Sequence, residues 1–120
     1  GGDYDAEILE LHHRQKVDAP SGTALAIGAA VAEGRRVSLA DVKRTNPAGA
    51  RADGDIGFAS LRGGQIVGEH SLIFTSGTEQ ITLSHRVFDR RVFAQGAVRG
   101  ARWLAGREAG LYGMRDALEA

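Results

Sequence analysis

The chain contains no cysteine. Disulfides, thiolate metal centres and cysteine nucleophiles are therefore excluded. Proline is scarce, at two residues, so little interrupts the periodic segments. Neither sign of charge is in excess: fifteen basic residues balance fifteen acidic ones. No net field draws nucleic acid or an anionic membrane surface, and neither partner is expected. No run approaches the roughly 18 apolar residues of a membrane span. The start, G-G-D-Y-D-A-E, has neither the basic nor the apolar part of a signal peptide. It also lacks an initiator methionine, which reads as a chain beginning partway through a longer protein. These absences fit a cytoplasmic protein. The 120 residues make one domain, 1–120, or one piece of a larger chain.

Glycine is abundant, at 17 residues scattered among apolar periodic segments. That placement suggests turns and close backbone approaches rather than a linker. Tyr4 to Leu11 carries Ile8, Leu9 and Leu11 among acids and reads as a strand. Gly22 to about Glu33 reads as a helix. Ser21 is its N-cap, Leu25, Gly28, Ala29 and Ala32 share one face, and Gly34 is the expected stop. Residues 34–55 change texture, with a short strand or turn first and then a mobile, solvated basic loop around Asn46-Pro47. Three strand candidates follow, at 56–61, 65–75 and 79–88. Glycine- and serine-rich turns between them suggest an antiparallel meander. Ile66, Gly68, His70, Leu72 and Phe74 alternate on one face of the second. Ile81, Leu83, His85 and Val87 do so on the third. From Val92 to about Gly106 the period becomes helical, and Leu111 to Leu118 reads as a final short helix. The expected fold is α+β: a mostly antiparallel or mixed open sheet, a helix packed on one face, and C-terminal helices over 92–118.

Chemistry concentrates in Glu10 to Ala24, E-L-H-H-R-Q-K-V-D-A-P-S-G-T-A. Histidine exchanges protons near neutrality, and two lie in tandem at His12 and His13. A regular strand would put them on opposite faces, so one shared site needs a bend. Lys16 offers a positive charge for a carboxylate, or a proton; a solvated surface lysine is the plain alternative. Ser21, Gly22 and Thr23 open the helix, where free N–H groups and the helix dipole favour an anion. An ordinary capped helix would look the same. No metal site is expected, because no two of the four histidines have the i, i+4 helical spacing of a zinc protease. His70 and His85 read as satisfied sheet histidines. No G-x-G-x-x-G lies between a strand and a helix, so no dinucleotide-binding unit is encoded here.

The run from Glu10 to Ala24 resembles the signature of the dihydrodipicolinate reductase family. I-G-F-A-S-L-R-G-G-Q-I-V-G-E-H at 56–70, L-S-H-R at 83–86, F-A-Q-G-A-V-R at 93–99 and G-L-Y-G-M-R-D-A-L at 110–118 are similar to it too. The resemblance implies the C-terminal, substrate-binding and tetramer-forming domain of a two-domain reductase of the diaminopimelate and lysine pathway. A separate Rossmann domain would bind NADPH or NADH. It implies His12 as proton donor or acceptor and Lys16 as a second donor. His13 would bind substrate, and Ser21, Gly22 and Thr23 would hold a carboxylate of a small dicarboxylate. Arg99 would lie toward the cofactor. The resemblance also implies a homotetramer formed through the sheet, and strand edges and apolar sheet faces independently suggest burial in an oligomer. The alternatives are a non-catalytic dicarboxylate-binding or oligomerisation module, and the substrate domain of another two-domain dehydrogenase.

Overall fold

The computed structural model describes residues 2–45 and 48–120. Asn46 and Pro47, placed in a loop by their sequence, lie outside the described residues. The chain divides into two compact units, Gly1–Arg86 and Val87–Ala120.

The first unit is a five-stranded sheet with helices. In chain order the elements are β1 (Asp5–His12), α1 (Gly22–Arg35), α2 (Leu39–Val42), β2 (Lys43–Arg44), β3 (Ile56–Arg62), β4 (Gly68–Thr75) and β5 (Gln80–Val87). Their order across the sheet is β2-β3-β1-β4-β5. β1 runs parallel to β3 and antiparallel to β4. The expected meander is therefore corrected: β3 and β4 follow one another in sequence, yet β1 lies between them. The turn after β3 closes on β1, not on a hairpin partner. Gly63 N–H donates to the His12 carbonyl (3.1 Å) and Arg14 N–H to the Gly64 carbonyl (3.1 Å). β1 alternates buried and half-buried residues along nearly its whole length, so it takes the centre. β4 and β5 do form the expected antiparallel pair. Ser71 meets Ser84 (2.8 Å) and Glu69 meets Arg86 (2.5 Å), so one number falls as the other rises.

Register puts Ala6, Ile8 and Glu10 of β1 level with Ile56, Phe58 and Ser60 of β3, and with Phe74, Leu72 and His70 of β4. This face packs on α1 through Ala24, Val31 and Ala32, forming the core with Ile8, Ile56 and Phe58. Gly28 sits over the Phe58 ring, where a Cβ would overlap it. The buried face of α1 is thus Ala24, Gly28, Val31 and Ala32, while Ala29 points to solvent. The helix also outlasts Gly34. Arg36 takes the left-handed cap (φ 59°), donating to Glu33 (2.9 Å), and Val37 donates to Ala32 (3.0 Å). Arg35 holds this last turn by donating to the Tyr4 carbonyl (2.5 Å). The basic loop is anchored as well: Arg51 pairs with Asp5 and Glu7 (3.2 Å each) and donates to the Asp55 carbonyl (2.7 Å).

The second unit holds α3 (Arg91–Leu104) and α4 (Met114–Leu118), the latter starting three residues later than the sequence suggests. Trp103 meets Tyr112 edge-on (5.3 Å between ring centres), and Arg107 lies 4.3 Å over the indole. No helix among the described residues is long and apolar enough to cross a membrane.

Candidate functional site

Glu10 and His12 are two residues apart on a strand, so both point to the α1 side. The Glu10 carboxylate bonds the Nδ1 of His12. Its other partner comes from β3, where Arg62 stands level with His12. Arg62 grips Glu10 with both nitrogens, at 2.7 Å to Oε1 and 3.1 Å to Oε2. Glu10 is only 1% exposed, and a buried carboxylate without such partners would be neutralised. Burial alone would raise its pKa. Hydrogen bonds from Arg62, Ser60 and His12 outweigh that and hold it at about 2. Glu10 therefore carries its negative charge at any physiological pH.

His70 enters from β4, level with Glu10. Its ring meets that of His12 edge-on, 5.1 Å between centres. Its Nε2 lies 2.9 Å from the Ser21 hydroxyl. Ser21 caps α1 as expected, its Oγ accepting from Ala24 N–H at 3.1 Å. With that lone pair used, the hydroxyl proton is free to go to His70. Burial, then the charge of His12, lower the His70 pKa. The lowered pKa favours the neutral ring, which can take the Ser21 hydroxyl proton at Nε2. Glu10, His12 and His70 each bring a ligand-type atom within 4.8 Å of the others. The Arg62 guanidinium on Glu10 opposes a cation there, and the cluster reads as a proton-handling group.

The loop after β1 bends at once, since Lys16 N–H donates to the His13 carbonyl (3.2 Å). His13 follows His12 on this turn, half-buried. Lys16 Nζ is held by Asp18 at 2.8 Å, and the contact lowers the Asp18 pKa. Arg62 donates to the Asp18 carbonyl (2.7 Å), so one guanidinium fastens both Glu10 and the Lys16 loop. Gly22 and Thr23 lie exposed at the first turn of α1, which contains no acidic residue. The space over Gly22 is open to 4 Å.

Direct contacts thus join His12 to Ser21 through His70. Arg99 lies in the second unit, on α3 with Arg91 and Arg102. Glu10 opens the quoted Glu10–Ala24 run, and Arg62 and His70 lie in the quoted 56–70 segment, but neither pattern marks them out as site residues. Their signal is register: each shares a face and a level with His12 or its neighbour. A groove of about 670 Å³ between α1 and β4–β5 is mainly apolar, lined by Ile27, Leu72, Phe74 and Ile81, and the guanidinium of Arg35 at its edge donates to the Tyr4 and Gly54 carbonyls.

Residues 1–118 match the family model described as dihydrodipicolinate reductase, C-terminus. The chain belongs to the dihydrodipicolinate reductase family. It is 74% identical over 117 residues to the 4-hydroxy-tetrahydrodipicolinate reductase of Gluconobacter oxydans (strain 621H), covering 98% of this chain and 47% of that protein. With the enzyme of the same name from Acidiphilium cryptum (strain JF-5) it shares 70% identity, over 96% of this chain and 48% of that protein. A solved dipicolinate-bound dihydrodipicolinate reductase from Paenisporosarcina sp. TG-14 superposes with a TM-score of 0.70 at 27% identity. That match covers 93% of this chain and 44% of the other. The chain spans about half the length of these relatives and corresponds to their C-terminal, α+β domain.

Proposed function

We propose that this chain is the substrate-binding half of a 4-hydroxy-tetrahydrodipicolinate reductase, acting in the cytoplasm on a cyclic imino dicarboxylate. The observation that carries the reading is the contact chain from Glu10 through His12 and His70 to Ser21. It puts an oriented imidazole beside a helix start with unused N–H groups. That pairing suits an anion that must receive a proton.

Each residue then has a role. The N–H groups at Gly22 and Thr23, with the threonine hydroxyl, bind one carboxylate. Lys16 binds the other or donates to the ring, exchanging Asp18 for the ligand. His13, on the same turn, adds a polar contact to substrate. His12 carries the proton delivered beside the reduced carbon. The hydride comes from NADPH or NADH. A dinucleotide cradle does not fit these residues, because loop 13–21 between β1 and α1 has no glycine for the tight phosphate turn. The cofactor would be held mainly by the rest of the protein, with Arg99 offering positive charge toward it. The reading includes a homotetramer formed through the sheet. It is supported by β5, which is exposed along all but its last residue at the sheet edge.

Calorimetric titration of the complete protein with pyridine-2,6-dicarboxylate, a planar mimic of the substrate, tests this. Saturable one-site binding is expected, weakened by about 10- to 100-fold in Lys16→Ala, the worth of a lost charged hydrogen bond. Equal affinity in Lys16→Ala would remove Lys16 from the site. Absence of binding, with and without NADPH, would sink the assignment.

A further inference from the structure

We propose that Glu10, held by Arg62, is a positioning residue that fixes the proton of the His12 imidazole on Nδ1 and leaves Nε2 to exchange protons with substrate. The inference rests on His12 being the proton carrier in the reading above. Among the described residues Glu10 is the one buried acidic side chain, and its two-pronged ion pair with Arg62 already gives it a counter-charge. Yet its two oxygens are used unequally. Oε1 takes the shorter Arg62 bond, 2.7 Å, while Oε2 takes the longer, 3.1 Å, and also meets His12. The carboxylate is shared between a clamp and an imidazole. An Nδ1–H directed at a fixed carboxylate sets the tautomer and ring plane and stabilises the imidazolium when it forms.

The far side of the ring fits the same role. Among the described residues Nε2 makes no hydrogen bond, and Gly68 lies opposite it on β4. A Cβ there would stand 3.3 Å from Nε2 and crowd the atom. His70 borders the ring from the side but spends its own Nε2 on Ser21, so it does not compete for this proton. In the step itself the imidazolium N–H bond at Nε2 breaks, and the C=C π pair that hydride addition leaves on the substrate takes the proton to form a C–H bond beside the reduced carbon. The pair left on nitrogen makes neutral imidazole, still Nδ1–H to Glu10, and water restores the proton.

The test compares Glu10→Gln, His12→Ala and the double variant in the complete protein with its cofactor. Glu10→Gln should lower kcat by about 10- to 100-fold with little change in KM. The limb of the kcat/KM pH profile that reports His12 should move to lower pH, because the imidazolium loses its counter-charge. In the His12→Ala background the same change should cost less than about twofold. Glu10→Gln leaves the Arg62 charge without its carboxylate, so Glu10→Gln/Arg62→Gln, neutral on both sides, serves if the single variant folds poorly, and the same shift is expected. An equal loss with His12 absent, or an unmoved limb, would overturn the proposal and leave Glu10 a structural ion pair. If His12→Ala keeps full kcat, His12 is not the proton carrier, and the functional reading falls together with the inference.

Discussion

At the scale of single residues, charge in this domain is settled by pairing. Glu10 is buried yet ionised, because Arg62, Ser60 and His12 satisfy it. Its pKa in the fold, about 2, lies below the ordinary 4.5, so the folded state binds its proton less readily than the unfolded chain. The contribution to stability is complete above about pH 4.5 and is lost as pH falls toward 2. Urea unfolding of wild type and Glu10→Gln across that window should show a steeper acid loss in wild type. Parallel curves would assign the loss to other carboxylates. His12, His13, Lys16 and Ser21–Thr23 could be picked out in the sequence because their chemistry is local: tandem imidazoles, a nearby ammonium, a capped helix start. Glu10, Arg62 and His70 could not, although all three are polar residues at strand positions. Whether they touch His12 depends on which strands lie side by side, and sequence alternation says only which face each occupies.

At the scale of elements, α1 shows how packing overrides a local rule. Beyond Gly22 at its first position, two glycines lie within it, Gly28 and Gly34, and both weaken a helix by roughly 0.5–1 kcal/mol relative to alanine. The sequence offers Gly34 as the natural stop. The helix runs on because Arg35 and Val37 hydrogen-bond its last turn closed. Gly28 has the opposite meaning: it is the notch that lets α1 close on Phe58 and Ile8. The two substitutions should therefore have opposite signs. Gly34→Ala meets open space within 4 Å and should raise stability by about 0.5–1 kcal/mol. Gly28→Ala puts a methyl into the Phe58 ring, an overpacking that costs about 1–3 kcal/mol and exceeds the helix gain. Thermal unfolding of both variants beside wild type decides it. A stabilised Gly28→Ala would mean that Phe58 swings clear and that the notch is not needed.

At the scale of the whole molecule, four of the five strands and the α+β class could be read from alternation and turns; the two-residue β2 was open between strand and turn, and the strand order could not be read. Three strands joined by short turns look like a meander from any local window. The decisive fact is a pairing across more than forty residues, β1 with β3, and it leaves β1, whose residues alternate buried and half-buried, with neighbours on both sides. That order also decides what remains uncovered. α1 packs on the face carrying Ile8, Ile56 and Phe58, so Leu9, Leu11 and Leu61 point to the opposite face. Leu61 is 52% exposed there, level with Leu11 on the neighbouring strand. If subunits assemble through this face, a carboxylate at Leu61 would be buried unpaired on association but stay solvated in the separate subunit. Burying such a charge costs several kcal/mol, enough to split an assembly without unfolding the domain. Leu61→Glu in the complete protein should therefore sediment as a smaller species than wild type while keeping its circular dichroism. Wild-type sedimentation for the variant would place the contact elsewhere, with the exposed edge strand β5 as the remaining surface.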